Sequence, residues 1–317
     1  MKKTVFILLV LFSLMNSRSY GQQEAMISQF VMNTMAINPG YTGYREQQSI
    51  NFTHRSQWIG FEGAPMTDVL TFDMAFEGNK SMAIGGSLMH DKIGPTSELG
   101  VTASFAYRMQ LARKKILSMG IQGYGGMLQA NFTDLIVGSD QFDEVVTDQL
   151  ISANPESVFL PNAGFGIYYH TPRMFLGLSA PRLLRSRISN DNVNGIVQIN
   201  GRTEPTLFLM GGRNFEMTNF YNLQPAILVK ATQGAPLSIG VSLNMLYGEI
   251  MKIGAFYNYR EVIGAMFQYR ISTRTRMGYS FDMSTHRLAQ TNLGSHEISF
   301  AYVFRDLRRR IVYPRKF

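Results

Sequence analysis

Along most of the chain, apolar and polar residues alternate in steps of two. From Val101 to Arg108, the residues Val101, Ala103, Phe105 and Tyr107 share one face, while Thr102, Ser104, Ala106 and Arg108 share the other. Ile239, Val241, Leu243, Met245 and Tyr247 alternate with Gly240, Ser242, Asn244 and Gly248. The same holds for Met277, Tyr279, Phe281 and Met283 against Gly278, Ser280 and Asp282, and for Ile298, Phe300, Tyr302 and Phe304 against Ser299, Ala301 and Val303. A period of two marks β-strands. Aromatics and Met crowd the apolar faces, and Gly and Ser crowd the others. A soluble sandwich would set Lys and Glu toward water, so small polar residues facing a lumen fit better. About fourteen such segments can be read. They start near Gln47, Met66, Lys80, Ser97, Lys114, Leu160, Arg173, Glu204, Tyr221, Ala235, Glu249, Glu261, Thr273 and Gly294. The pattern predicts an all-β fold, a transmembrane outer-membrane β-barrel of about 14 antiparallel strands over residues 47–304.

Connection lengths test this reading. Barrels have short periplasmic turns and long external loops, so long connections should carry odd ranks. The long ones are read at Trp58 to Pro65 (first), Asp91 to Thr96 (third), Gln129 to Phe159 (fifth), Pro181 to Thr203 (seventh) and Ser284 to Leu293 (thirteenth). The even connections are tight, at Gly78-Asn79, Ala112-Arg113, Thr171-Pro172, Gly248 and Ser272; Arg213 to Phe220 is the exception. A soluble β-fold has no reason to sort loops by parity.

Composition agrees. Charged residues are 16% and aromatics 12%, aromatic-rich and charge-poor for a soluble protein. Mean hydropathy is −0.05, which argues against a helical membrane protein and suits alternating faces. With no cysteine, disulfides, Cys-ligated metals and a lipoprotein anchor are excluded. The net charge of +8 raises the question of nucleic acid. However, the basic residues cluster at Arg305, Arg308, Arg309, Arg310, Arg315 and Lys316 and around Arg182, Arg185, Arg187 and Arg202, without the interleaved aromatics that stack bases. No nucleic-acid partner is expected.

Residues 1–21 read as a cleavable secretory signal, with Lys2 and Lys3 before the apolar run Val5 to Leu14, too short for a spanning helix. Residues 22–46 form a segment for which two places are open: a plug in the lumen, or the periplasm. Asn38-Pro39-Gly40 signals a turn within it. Residues 305–317 make a basic periplasmic tail, either solvated or docking to an acidic partner. The fifth connection is acidic (Asp134, Asp140, Asp143, Glu144, Asp148 and Glu156), and the seventh carries Arg182, Arg185, Arg187 and Arg202. These loops are either independently solvated, or pair across the mouth or dock a partner by charge.

No active site stands out. The histidines His54, His90, His170, His286 and His296 are scattered, and His296 and Glu297, adjacent on a strand, point to opposite faces. His296 reads as lumen-edge or structural. A barrel lipase needs a Ser–His pair oriented by a third group, and spacing alone selects no serine. Gly123-Tyr124-Gly125-Gly126 opens no helix, so it reads as relief of crowding at a strand bend rather than a phosphate loop. The acidic loop lacks calcium-loop spacing. No cofactor or metal is expected. Trp58, the only tryptophan, is either a girdle aromatic or a contact for an external partner.

A series of fragments spans the mature chain: Gln29-Phe30 to Asn33, Asn38 to Gly43, Arg55 to Trp58, Gly63-Ala64-Pro65-Met66-Thr67 and Asp91 to Pro95. Further along come Pro161 to Leu184 with Gly177 to Pro181, Leu223-Gln224-Pro225, Ala235-Pro236, Tyr259-Arg260, Gly278 to Asp282 and Gly294 to Ile298. In order and span the chain resembles the PorP/SprF family, with Gly40 where the family often has Ala and Phe281 where it often has Tyr. The resemblance implies a non-enzymatic outer-membrane component of the type IX secretion or gliding machinery of Bacteroidota. It also implies as partners a secreted cargo with a type B C-terminal domain, other periplasmic or outer-membrane secretion components, and outer-membrane lipid. Asn38, Pro39, Arg55, Trp58, Pro65, Arg182, Arg185, Arg187, Asp282, His296 and Glu297 are the candidate partner-binding or motif residues. A passive channel or small-solute transporter is the rival reading; it needs an open lumen, whereas an anchor should be plugged.

Overall fold

The computed structural model describes residues 28–76, 80–130, 157–185, 187–188, 201–285 and 292–304. Fourteen strands make the wall: β1 (Ser49–Ser56), β2 (Met66–Ala75), β3 (Met82–Ile93), β4 (Thr96–Ala112), β5 (Lys115–Ala130), β6 (Val158–His170) and β7 (Met174–Ala180), then β8 (Thr206–Arg213), β9 (Tyr221–Thr232), β10 (Ser238–Tyr247), β11 (Met251–Asn258), β12 (Val262–Arg270), β13 (Thr275–Ser284) and β14 (Ser295–Val303). Each pairs antiparallel with its neighbours in sequence, and β14 pairs with β1, which closes the ring. Closure removes the sheet edges, so the wall presents no row of unpaired N–H and C=O groups to lipid. Every strand starts within three residues of its expected position.

The alternation has the sense the sequence implies. On β4, Val101, Ala103, Phe105 and Tyr107 are exposed, whereas Ser104, Ala106 and Arg108 are buried. The exposed set is the lipid-facing belt. The buried lumen face is largely polar, with Asn51, Thr53, Thr71, Asp73, Ser118, Ser280 and Ser299 among its members, and carries an apolar patch on β6 to β9.

Connections at the odd rim include 57–65, 131–157, 181–205 and 285–294, and no even connection is longer than 214–220. Two expectations change. The third connection is only Gly94-Pro95, because β3 and β4 continue through Asp91 to Ile93 and back from Thr96. The eighth is no true exception: Phe215–Glu216 pairs with Asn222–Leu223, so strand pairing extends into it. The acidic stretch 131–156, most of the seventh loop, residues 1–27, where the signal is expected, and the basic tail 305–317 lie outside the described residues. A two-residue ladder joins Arg187–Ile188 to Gly201–Arg202.

Residues 28–46 run inside the barrel. Thr34–Ala36 and Pro39–Tyr41 form 3₁₀ turns. Asn38 caps the second, its Oδ1 accepting the Gly40 N–H at 2.8 Å, and proline at the first position suits a turn whose N–H would go unused. Phe30, Met35, Tyr41 and Tyr44 from this segment pack with Tyr168, Phe175, Phe208, Met210 and Leu228 from β6 to β9. Tyr41 stacks on Tyr44 at 4.7 Å and meets Tyr168 edge-on at 5.3 Å. The apolar core of this molecule therefore sits within the lumen, around the internal segment.

Candidate functional site

The internal segment is held at both ends by buried charge. Odd-numbered residues of β1 face the lumen, which turns Arg55 inward near the external rim. Across the closing seam its register partner is Glu297 on β14, and Asp282 on β13 stands beside them. Arg55 Nη1 lies 2.8 Å from Asp282 Oδ2 and 3.3 Å from Glu297 Oε2. Asp282 and Glu297 are fully buried. One guanidinium against two carboxylates leaves acceptor capacity, and the internal segment uses it. The Ser28 and Gln29 backbone N–H groups donate to the two Glu297 oxygens at 2.8 and 2.9 Å. Ser28 Oγ accepts from Arg55 at 2.6 Å and donates to Asp282 at 3.0 Å. Gln268 of β12 adds a bond to Gln29 Oε1 at 3.1 Å. Charge-assisted bonds of this kind are stronger than neutral ones. The arrangement grips a peptide backbone.

In the middle of the segment, Asn38 Nδ2 donates to the Ile167 carbonyl at 3.2 Å, and Ser179 Oγ donates to the Ile37 carbonyl at 2.7 Å. Close approach here depends on glycine. A Cβ on Gly166 would lie 2.2 Å from Asn38 Oδ1, and one on Gly120 would lie 2.2 Å from the Pro39 carbonyl oxygen. Toward the periplasmic rim, Asp73 accepts from the Gly43 N–H at 2.8 Å and from Ser49 Oγ. Glu46 pairs with Lys80 at 2.5 Å and with Arg108 at 3.4 Å. Burial raises the Tyr41 hydroxyl above the ordinary tyrosine pKa, although nearby Arg45 pulls it down.

The structure thus brings Arg55, Asp282 and Glu297 together at one end of the segment and places Asn38 and Pro39 in its middle. The other sequence-derived candidates lie elsewhere. Arg182 sits at the external mouth, 3.3 Å from Glu98 and 4.2 Å over the Tyr124 ring. That ring fills the space a Cβ would take at Gly100 and Gly126, so Gly126 relieves side-chain crowding. Arg185 lies 3.2 Å from Glu204. Both arginines therefore have local acidic neighbours; the acidic fifth loop is outside the described residues. Pro65 is buried in the first loop, its carbonyl accepting from Gln57 at 2.9 Å. Trp58 occupies the same loop with φ of 47°, and its N–H reaches Ser295 Oγ at 3.4 Å. His296 is on the outward face, not at the lumen edge: its Nδ1 meets Tyr279 Oη at 2.6 Å, opposite in direction to Glu297. Arg187 lies in the two-residue ladder.

Sequence reasoning missed Ser28, Asp73 and Lys252. Lys252 is buried on the lumen side of β11, beside a small cavity lined also by Gln268, Arg270 and Arg276. Inward parity was the available signal for Asp73 and Lys252, since each occupies a lumen position of its strand. Among the described residues, no group of His, Asp or Glu side chains is arranged to hold a metal ion.

Solved structures similar to this one are outer-membrane barrels. The CymD monoaromatic hydrocarbon channel matches with a TM-score of 0.50 and 13% identity over 86% of this chain and 93% of that one. The Ralstonia pickettii toluene transporter TbuX matches at 0.49 and 11% identity, over 86% and 94%. The KdgM porin matches at 0.38 and 9% identity, over 81% and 99%. At such identities the likeness shows the fold alone. Comparison with curated protein sequences gave no match. The family model described as type IX secretion system membrane protein PorP/SprF matches residues 19–302. A closed barrel of fourteen strands and a family match along nearly all of it lead to one assignment: the chain belongs to the PorP/SprF family of type IX secretion outer-membrane proteins.

Proposed function

We propose that this barrel is a closed support for the secretion or surface anchoring of large proteins bearing type B C-terminal domains. The external loops and mouth hold the cargo domain, and the basic tail faces periplasmic secretion components. One observation carries the choice of anchor over channel. Residues 28–46 occupy the lumen and are bonded to β1, β2, β4, β6, β7, β12, β13 and β14. A solute pathway would have to displace a segment fixed at many points, including a buried ionic cluster. Cargo is therefore exported beside this barrel or handed to it, not passed through it.

The test is the secretome and surface proteome of a strain lacking this protein. The reading expects loss of at least one large surface protein from the cell exterior, restored by the intact chain. Unchanged export and attachment of every such protein sinks it. The passive-channel alternative has its own readout, stable conductance of the purified intact protein in planar bilayers.

A further inference from the structure

The outward face carries a constellation that the internal segment does not use. His54 and Ser56 are two residues apart on β1, so both point away from Arg55 and toward the outside of the barrel. The β1–β2 register sets Asp68 directly opposite His54. His54 Nδ1 lies 2.7 Å from Asp68 Oδ1, and His54 Nε2 lies 3.0 Å from Ser56 Oγ. An ionised carboxylate only accepts hydrogen bonds. The neutral imidazole therefore carries its proton on Nδ1, and the Nε2 lone pair faces the Ser56 hydroxyl. Hydroxyl, imidazole and carboxylate in this order are the parts of an activated serine nucleophile, at distances within the working range. His90 backs the carboxylate: its Nδ1 is 3.8 Å from Asp68 Oδ2, and its Nε2 is held by Ser97 at 3.1 Å.

The surroundings indicate the substrate. The register row below the triad is Phe52, Leu70, Leu88 and Val101, apolar throughout. Phe52, Leu88 and Val101 are 41, 49 and 52% exposed on the outer wall. The row above is Ser56, Met66, Lys92 and Ser97. The triad thus sits where the apolar belt gives way to polar side chains, at the rim bearing the long loops, which is the external one. At that depth a membrane lipid changes from acyl chain to headgroup, and the bond at the change is an ester.

We propose that Ser56, His54 and Asp68 form a serine hydrolase site for the O-acyl esters of lipids in the external leaflet. An acyl chain lies along the row from Phe52 to Val101. Ser56 Oγ attacks the ester carbonyl while His54 Nε2 takes the hydroxyl proton. The C–O bond to the alcohol breaks, and His54 gives that proton to the departing alcohol oxygen. Water, deprotonated in turn by His54, attacks the Ser56 acyl ester; the acyl C–Oγ bond breaks, His54 returns the proton to Ser56 Oγ, and a fatty acid is released. Asp68 is a positioning residue that fixes the imidazole tautomer. The site faces away from the lumen, so this activity is independent of the secretion role.

The test uses the full-length protein reconstituted in two kinds of vesicle, one of glycerophospholipid and one containing an acylated glucosamine disaccharide lipid. Released fatty acid is measured for the wild type, Ser56→Ala, His54→Gln and Asp68→Asn. Heat-modifiable migration in gels shows that each variant retains its barrel. Release from either vesicle that falls to background in Ser56→Ala and His54→Gln supports the site, and the active vesicle identifies the lipid class. Asp68→Asn should lower kcat by about 10²-fold or more with KM little changed, as expected for a disturbed general base. No Ser56-dependent release from either vesicle overturns the proposal.

Discussion

Arg55 and Glu297 are register partners across the seam where the first and last strands meet, and their side chains approach to 3.3 Å in the buried lumen. The pair closes the ring and, through the Ser28 and Gln29 N–H groups on Glu297, fixes the internal segment to it. Removing the cation leaves Asp282 and Glu297 with only the hydrogen bonds from Ser28 and Gln29 among the described residues. Breaking a buried ion pair in this way costs about 3–5 kcal/mol. Arg55→Met should therefore lower the unfolding free energy of the micelle-bound barrel by that amount, read as a fall in its urea midpoint at unchanged slope. Glu297→Gln keeps an acceptor for one N–H and should cost less, about 1–3 kcal/mol. Equal losses for the two variants would contradict the idea that Arg55 organises the cluster.

Deleting residues 28–46 should open the lumen. The segment supplies much of the apolar core inside the barrel, whereas the wall keeps its complete ladder without it. The expected result is a barrel that still migrates as a folded species and conducts in planar bilayers, against an intact chain that stays nearly closed. A deletion variant that folds and does not conduct would show that something else blocks the passage.

Gly120 and Gly166 are opposite one another on β5 and β6, and both lie under the turn at Pro39. Backbone and an Asn38 side chain fixed by two bonds occupy the space of any added Cβ, so neither can yield cheaply. Gly166→Val should destabilise the protein by about 1–3 kcal/mol through overpacking and raise bilayer conductance by loosening the turn. As a control, a Cβ at Gly123 meets no atom within 4 Å, so Gly123→Ala should change neither measurement.

The wall was legible because lipid and lumen impose opposite chemistry on alternate residues, and that contrast is written into every strand. The Asp91 to Thr96 stretch failed because charged residues beside Gly94-Pro95 resemble a loop. In fact β3 and β4 carry those residues to the strand ends, with Thr67 binding Asp91 on the lumen side at 2.6 Å. The ionic cluster was visible only as separate motif residues. Arg55 and Asp282 are 227 positions apart, and only closure of the ring and its register bring them into contact. Likewise the histidines look scattered in one dimension, while the β1–β2 pairing sets His54 against Asp68.

Reversing the charge of Arg182 and Arg185 tests the external mouth. Arg182 rests on Tyr124 beside Glu98, and Arg185 lies beside Glu204, so both guanidinium groups are held where an acidic partner can reach the mouth. Arg185 and Glu204 are partly exposed, and such a pair contributes only about 0–1 kcal/mol to stability, while Arg182 and Glu98 are more buried. The double change to Glu sets like charges together at both places and should lower the urea midpoint while leaving the barrel folded. Cargo retention at the cell surface should fall, and its salt dependence should weaken, because such charges act mainly on association. Retention and salt dependence equal to wild type would remove these arginines from the docking surface.

Lys252 gives a prediction of opposite sign. Its side chain is buried on the lumen side of β11, beside the cavity lined by Arg270 and Arg276. Arg270 is paired with Glu249 at 3.5 Å, whereas no hydrogen bond or ion pair reaches the Lys252 ammonium among the described residues. Glu249 also lines this cavity but is engaged by Arg270, and a buried cation without a bonded partner of its own costs free energy. Lys252→Met keeps the length of the side chain and removes the charge, so it should raise the unfolding free energy by about 1–3 kcal/mol, read as a higher urea midpoint at unchanged slope. Millimolar sulfate should stabilise the wild type by sitting among these cations, and should do less for the variant. A lower midpoint for Lys252→Met would mean that the ammonium is compensated by a group outside the described residues, and the 305–317 tail would be the first segment to delete in searching for it.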